Sequence, residues 1–176
     1  MDNYRSFDLL RTGELTVIRH GWFRPWYELT DGQFMYGKLS YAGWLRRTAT
    51  AEVAGNSWII KCKGAFSRSL FIKKSETEII GEIKPEIWTR KIRVAMNNGF
   101  DAVFTAKKLF CRTFSLTNDQ YGDMFSIEPN IWKFKTPFRV TFNQTYLKTI
   151  PDMPLLMLTG IYLVLLRQQQ AAAAAQ

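Results

Sequence analysis

The feature that most narrows what this chain can fold into is one uncharged run near its end. It reads Met153-Pro154-Leu155-Leu156-Met157-Leu158-Thr159-Gly160-Ile161-Tyr162-Leu163-Val164-Leu165-Leu166, with Asp152 before it and Arg167 after it. As a helix the run extends about 21 Å, well short of the ~30 Å hydrocarbon layer of a bilayer. A helix apolar on every face, rather than along one stripe, belongs in lipid or in the middle of a protein core. Its length favours the core. Asp152 reads as an N-cap, Pro154 suits a first turn, and Arg167 places a cation near the negative end of the helix dipole. The expected helix covers 152–168, and 171–176 is a low-complexity tail to which no function attaches.

Upstream the texture is different. From Leu15 to Phe142 the chain consists of short segments rich in Val, Ile, Thr, Phe and Trp, broken by turn residues such as Gly55-Asn56 and Asn97-Asn98-Gly99. That pattern predicts antiparallel strands. The windows are 15–19, 34–39, 47–53, 58–62, 70–73, 78–84, 87–96, 100–106, 110–116, 123–127, 131–134 and 138–142. With 176 residues, 47% of them hydrophobic and 15% aromatic, the chain has material for one sizeable core and is neither disordered nor collagen-like. A closed barrel of about twelve strands is wide enough to leave an axial space, and a hydrophobic helix threaded through it would fill that space. The expected fold is therefore mainly β: a closed antiparallel β-barrel around a buried hydrophobic C-terminal helix, one domain over 1–170.

One hairpin can be read in register. A three-residue loop Asn97-Asn98-Gly99, with Gly99 left-handed, sets Ile92 opposite Phe104, Val94 opposite Ala102 and Met96 opposite Phe100, all on the apolar side. Arg90 is the awkward member of that parity and fits a bulge or the barrel rim. Lys91, Arg93, Thr105 and Lys107 then share the other face, with Lys108 beside them. This is either a solvated barrel wall or a site for an anion. The aromatic cluster Trp22, Phe23, Pro25, Trp26 and Tyr27 also has two readings, packing over a barrel end or dipping into a lipid interface.

Catalytic chemistry finds little footing. His20 is the only histidine, and no GxSxG, P-loop, GxGxxG, HExxH or calcium-loop pattern occurs. Cys62 and Cys111 lack metal or disulfide spacing and read as small apolar strand residues. Neither an enzyme, a metal nor a cofactor is expected. Asp2, Arg5 and Asp8 interrupt the stretch where an export signal would need an apolar run, so the expected location is cytoplasmic, with peripheral contact to a membrane.

The turn and strand Ser75-Glu76-Thr77-Glu78-Ile79-Ile80-Gly81-Glu82-Ile83-Lys84, the strands after it and the closing helix from Asp152 to Leu166 carry a family resemblance. Over roughly residues 30–168 the chain resembles the tubby C-terminal-like superfamily, in size and texture its LURP-one-related and phospholipid-scramblase branch. The resemblance implies a barrel closed around its terminal helix and, as in tubby proteins, phosphoinositide binding through surface Lys and Arg. A net charge of +9 favours anionic partners in general. The leading expectation is a non-catalytic barrel that binds phospholipid headgroups or other phosphate ligands through Lys91, Arg93, Lys107 and Lys108. The alternatives are a protein-interaction module using the aromatic segment and, third, nucleic-acid binding.

Overall fold

The structure, a computed structural model, describes residues 4–42, 47–64, 67–86, 91–107, 113–130, 132–150 and 152–174. After a single 3₁₀ turn at Phe7–Leu9 come twelve strands: β1 (Glu14–His20), β2 (Trp26–Thr30), β3 (Met35–Ala42), β4 (Thr48–Val53), β5 (Asn56–Cys62), β6 (Leu70–Lys73), β7 (Ile79–Pro85), β8 (Ile92–Met96), β9 (Asp101–Lys107), β10 (Thr113–Asn118), β11 (Gly122–Pro129) and β12 (Phe138–Phe142). A short helix α1 (Thr145–Thr149) leads into α2 (Met153–Ala174). Alternation with period two writes the strands: in β8 Ile92, Val94 and Met96 are buried while Arg93 and Ala95 are exposed, and β12 repeats the pattern. Each strand pairs antiparallel with its neighbours in sequence, and β1 pairs with β12 through Leu15 opposite Val140. The barrel is therefore closed and its strands have no open edge.

The apolar run fills the barrel. Residues from Leu155 to Val164 are all buried, whichever way they point. Helix α2 touches β3 and β4 on one side and β10 and β11 on the other, pairs that lie almost across the barrel from each other. Small residues make the room. A side-chain carbon on Gly37 of β3 would come within 3.2 Å of Leu158, and Ala49 and Ala51 of β4 and Ala102 of β9 are buried in the wall. On the helix, Gly160 admits Phe104 of β9 and Ile127 of β11 to within 2.8 Å of where its own Cβ would stand.

Three sequence expectations need correction. Window 131–134 does not hold a strand: Trp132 to Phe134 lie in a loop whose own bonds, Asn130 N–H to the Pro137 carbonyl at 2.8 Å and Thr136 N–H to the Lys133 carbonyl at 3.1 Å, satisfy the backbone locally. The twelfth strand is instead β2, whose Tyr27 and Leu29 point inward. Arg167 is not at a helix end either. Helix α2 runs on through Gln168 to Ala174, residues with good helix propensity, and the Arg167 guanidinium sits 5.4 Å over the Phe114 ring. At the other end Asp152 precedes the helix with φ of +55° and its carbonyl accepts from Leu156 N–H.

Two neighbouring helix positions give opposite expectations. Gly160→Ala gains up to about 1 kcal/mol in helix propensity, which the close Phe104 and Ile127 contacts offset, so stability should barely change. Gly160→Leu has no space for its side chain and should cost about 2 kcal/mol or more through overpacking. The Thr159 hydroxyl is buried with no hydrogen-bond partner among the described residues. Thr159→Val keeps the shape and removes that polar group, so it should raise stability by about 1 kcal/mol. Urea unfolding of the three variants against the parent checks all three expectations.

Candidate functional site

Between β8 and β9 the register runs as expected, Ile92 opposite Phe104 and Val94 opposite Ala102. Met96 N–H bonds the Phe100 carbonyl, and Gly99 has φ of +86°. Lys91 and Arg93 are exposed. Arg93, however, is already engaged: its Nε donates to both Asp101 carboxylate oxygens at 3.0 and 2.9 Å, and its Nη2 also bonds Asp101. That hydrogen-bonded guanidinium holds the Asp101 carboxyl below its ordinary value, against the opposing effect of burial. An acidic group thus stands at the hairpin-loop end of the proposed basic face and takes up the Arg93 guanidinium. Lys107 pairs through its backbone with Thr113, while Arg90, Lys108 and Cys111 lie outside the described residues.

A more coherent cluster occupies one end of the barrel. Odd-numbered strands end and even-numbered strands begin at this end, where α2 also emerges, beside a cavity of about 530 Å³ lined by Arg68, Leu70, Ile83, Glu86, Ile92 and Arg167 among others. Because β1 pairs with both β2 and β12, the β1–β2 turn and the β11–β12 loop adjoin there. Arg19 N–H donates to the Lys135 carbonyl at 2.8 Å and ties the two together. The turn reverses at Gly21, φ +72°, where a Cβ would lie 2.9 Å from the Arg24 carbonyl. From these two loops Trp22, Phe23, Trp132 and Phe134 project into solvent, together with Arg24, Lys133 and Lys135.

The aromatic cluster read from the sequence therefore splits. Pro25 and Tyr27 are buried, and Trp26 stacks on His20 with ring centroids 4.0 Å apart. Trp22 and Phe23 do not pack over the barrel end. His20 ends β1 and its Nε2 donates to the Glu28 carboxylate at 2.7 Å. Cys62 closes β5 half-buried, and burial pushes its thiol above the ordinary value against the pull of Arg47. Among the described residues no group of His, Cys, Asp and Glu could hold a metal ion, and no helix is long and apolar enough to cross a membrane. Trp132, Lys133, Phe134 and Lys135 escape a sequence reading as surface groups because their alternation imitates a strand. The signal against it is Pro129-Asn130 before and Pro137 after, both turn chemistry.

Compared with known proteins, the chain matches no family model, no curated protein and no solved structure.

The Arg93–Asp101 pair has a pH signature. A carboxyl depressed in the folded state stabilises above its unfolded value, and that contribution disappears as pH falls through the folded value. Asp101→Asn should therefore cost up to about 1 kcal/mol near neutrality, the range for an exposed pair. The gap from the parent should close as pH falls below the ordinary carboxylate range and through the depressed folded-state value, measured by urea unfolding across the acid range.

Proposed function

We propose that this protein is a non-catalytic barrel that binds anionic, phosphate-bearing surfaces or ligands through cations at the end where α2 emerges. The observation that carries the reading is that Arg24, Lys133 and Lys135 stand exposed on two adjoining, braced loops and make no ion pair among the described residues. Cations without a fixed counter-charge keep their full attraction for a ligand, whereas the charge of Arg93 is met by Asp101. The axis of the barrel is occupied by α2, which favours a ligand at the surface over one along the axis. The net charge of +9 and the resemblance to tubby-like barrels around a terminal helix support the same reading, which includes a place at the cytoplasmic face of a membrane. Lys91, exposed just before β8, belongs to it as a secondary contribution, and Lys107 and Lys108 are assigned the same role from the sequence alone.

The test is titration of the whole chain with inositol hexakisphosphate, and sedimentation with phosphatidylserine-containing vesicles, at low and physiological salt. Binding should fall as salt rises. Since each Lys or Arg near an anionic surface contributes about 1 kcal/mol, Arg24→Glu with Lys133→Glu and Lys135→Glu should weaken vesicle binding by well over tenfold. Lys91→Glu with Arg93→Glu and Lys107→Glu should cost less. Failure of the parent to bind either probe at either salt would overturn the reading.

A further inference from the structure

Resting on the anion-binding reading above, we propose that the β1–β2 turn and the β11–β12 loop form a rim that inserts Trp22, Phe23, Trp132 and Phe134 into the interfacial layer of an anionic lipid bilayer. Their exposures are 83, 93, 90 and 87%, so nearly the whole of four large aromatic side chains lies in water. Single exposed apolar residues are ordinary. Four on two adjoining loops are not, and such concentrations mark an interaction surface. They come from segments far apart in sequence that only β1, as the common neighbour of β2 and β12, brings side by side.

Charge chooses the partner. In sequence the tips read Gly21-Trp22-Phe23-Arg24-Pro25 and Trp132-Lys133-Phe134-Lys135-Thr136, aromatic and basic residues together with no acid. A bilayer offers an apolar layer under a layer of phosphate, so rings and cations are satisfied at once; Trp in particular favours that boundary. A protein partner with a neutral apolar groove would leave the cations unanswered. Single-stranded nucleic acid would use stacking rings and cations along a groove, whereas these rings stand at the tips of turns. The turns are also built to hold their shape. Gly21 makes the reversal, and the Arg19–Lys135, Asn130–Pro137 and Thr136–Lys133 backbone bonds brace the longer loop, so little ordering is lost on docking. Entry tip-first would set the barrel on the membrane with the C-terminal end of α2 facing the lipid.

The experiment uses the full chain and vesicles of phosphatidylcholine mixed with phosphatidylserine, alongside inositol hexakisphosphate as a soluble anion. The variant Trp22→Ser, Phe23→Ser, Trp132→Ser and Phe134→Ser changes only exposed positions, and its thermal melt is compared with the parent. Vesicle affinity at physiological salt should fall at least tenfold while hexakisphosphate binding stays unchanged. In addition, lipids brominated on the acyl chain should quench the parent's tryptophan fluorescence, and much of that quenching should vanish in Trp22→Phe with Trp132→Phe. Undiminished vesicle binding by the serine variant, or quenching that does not depend on Trp22 and Trp132, overturns insertion and leaves the anion-binding reading standing. A parent that binds single-stranded nucleic acid through these rings and ignores vesicles overturns the lipid partner, and one that binds no probe overturns both readings.

Discussion

Everything in this structure depends on the packing of one helix inside a barrel that could not fill itself. Twelve strands enclose more space than their own inward side chains occupy. Helix α2 supplies the missing volume, and its lack of a polar face is what that position requires. The fit is reciprocal: Gly37, Ala49, Ala51 and Ala102 recess the wall where the helix is bulky, and Gly160 recesses the helix where Phe104 and Ile127 are. Large groups opposite small ones give close packing without strain, so the helix is held at one depth and one rotation.

Filling the barrel from one end makes its two ends unlike. Where α2 enters, polar groups are spent on structure: the Tyr146 hydroxyl donates to the Tyr121 carbonyl at 2.7 Å, the Tyr36 hydroxyl to Asp31 at 2.8 Å, and Arg5 lies 3.8 Å over the Phe34 ring. Asp31 also accepts from Gln33 and Phe34 N–H, and although burial opposes it, these bonds hold its carboxyl below the ordinary value. At the other end the β1–β2 turn and the β11–β12 loop keep their backbone bonded but turn their rings and cations outward. The first end uses its side chains to hold the molecule together. The second leaves them exposed to solvent.

Much of this was legible along the chain. Period-two alternation located eleven of the strands, because one face of each must meet the core, and Asn97-Asn98-Gly99 set a register that a one-residue slip would have inverted. The errors share one cause. Trp132-Lys133-Phe134 has the alternation of a strand and is a loop, while Trp26-Tyr27-Glu28-Leu29-Thr30 reads as the end of an aromatic cluster and is a strand. Alternation reports that rings and polar groups take turns; it does not report which side has a core beneath it. The pairing of Arg93 with Asp101 was out of reach for a different reason: Asp101 lies eight residues away and becomes its partner only across the hairpin.

By itself, then, the sequence determined the class of fold: an uncharged run too short to span a bilayer and too apolar for a surface, preceded by strand-length alternating segments, admits few arrangements besides a barrel around a helix. Local patterning suffices there because periodicity and turn chemistry act between near neighbours. Only the tertiary structure decided which large side chains were left exposed. Trp22 and Trp132 stand together because β1 pairs with β2 on one side and with β12 on the other, and that closure is made by hydrogen bonds between strands from opposite ends of the chain. Proximity across such a closure has no signature in either loop alone.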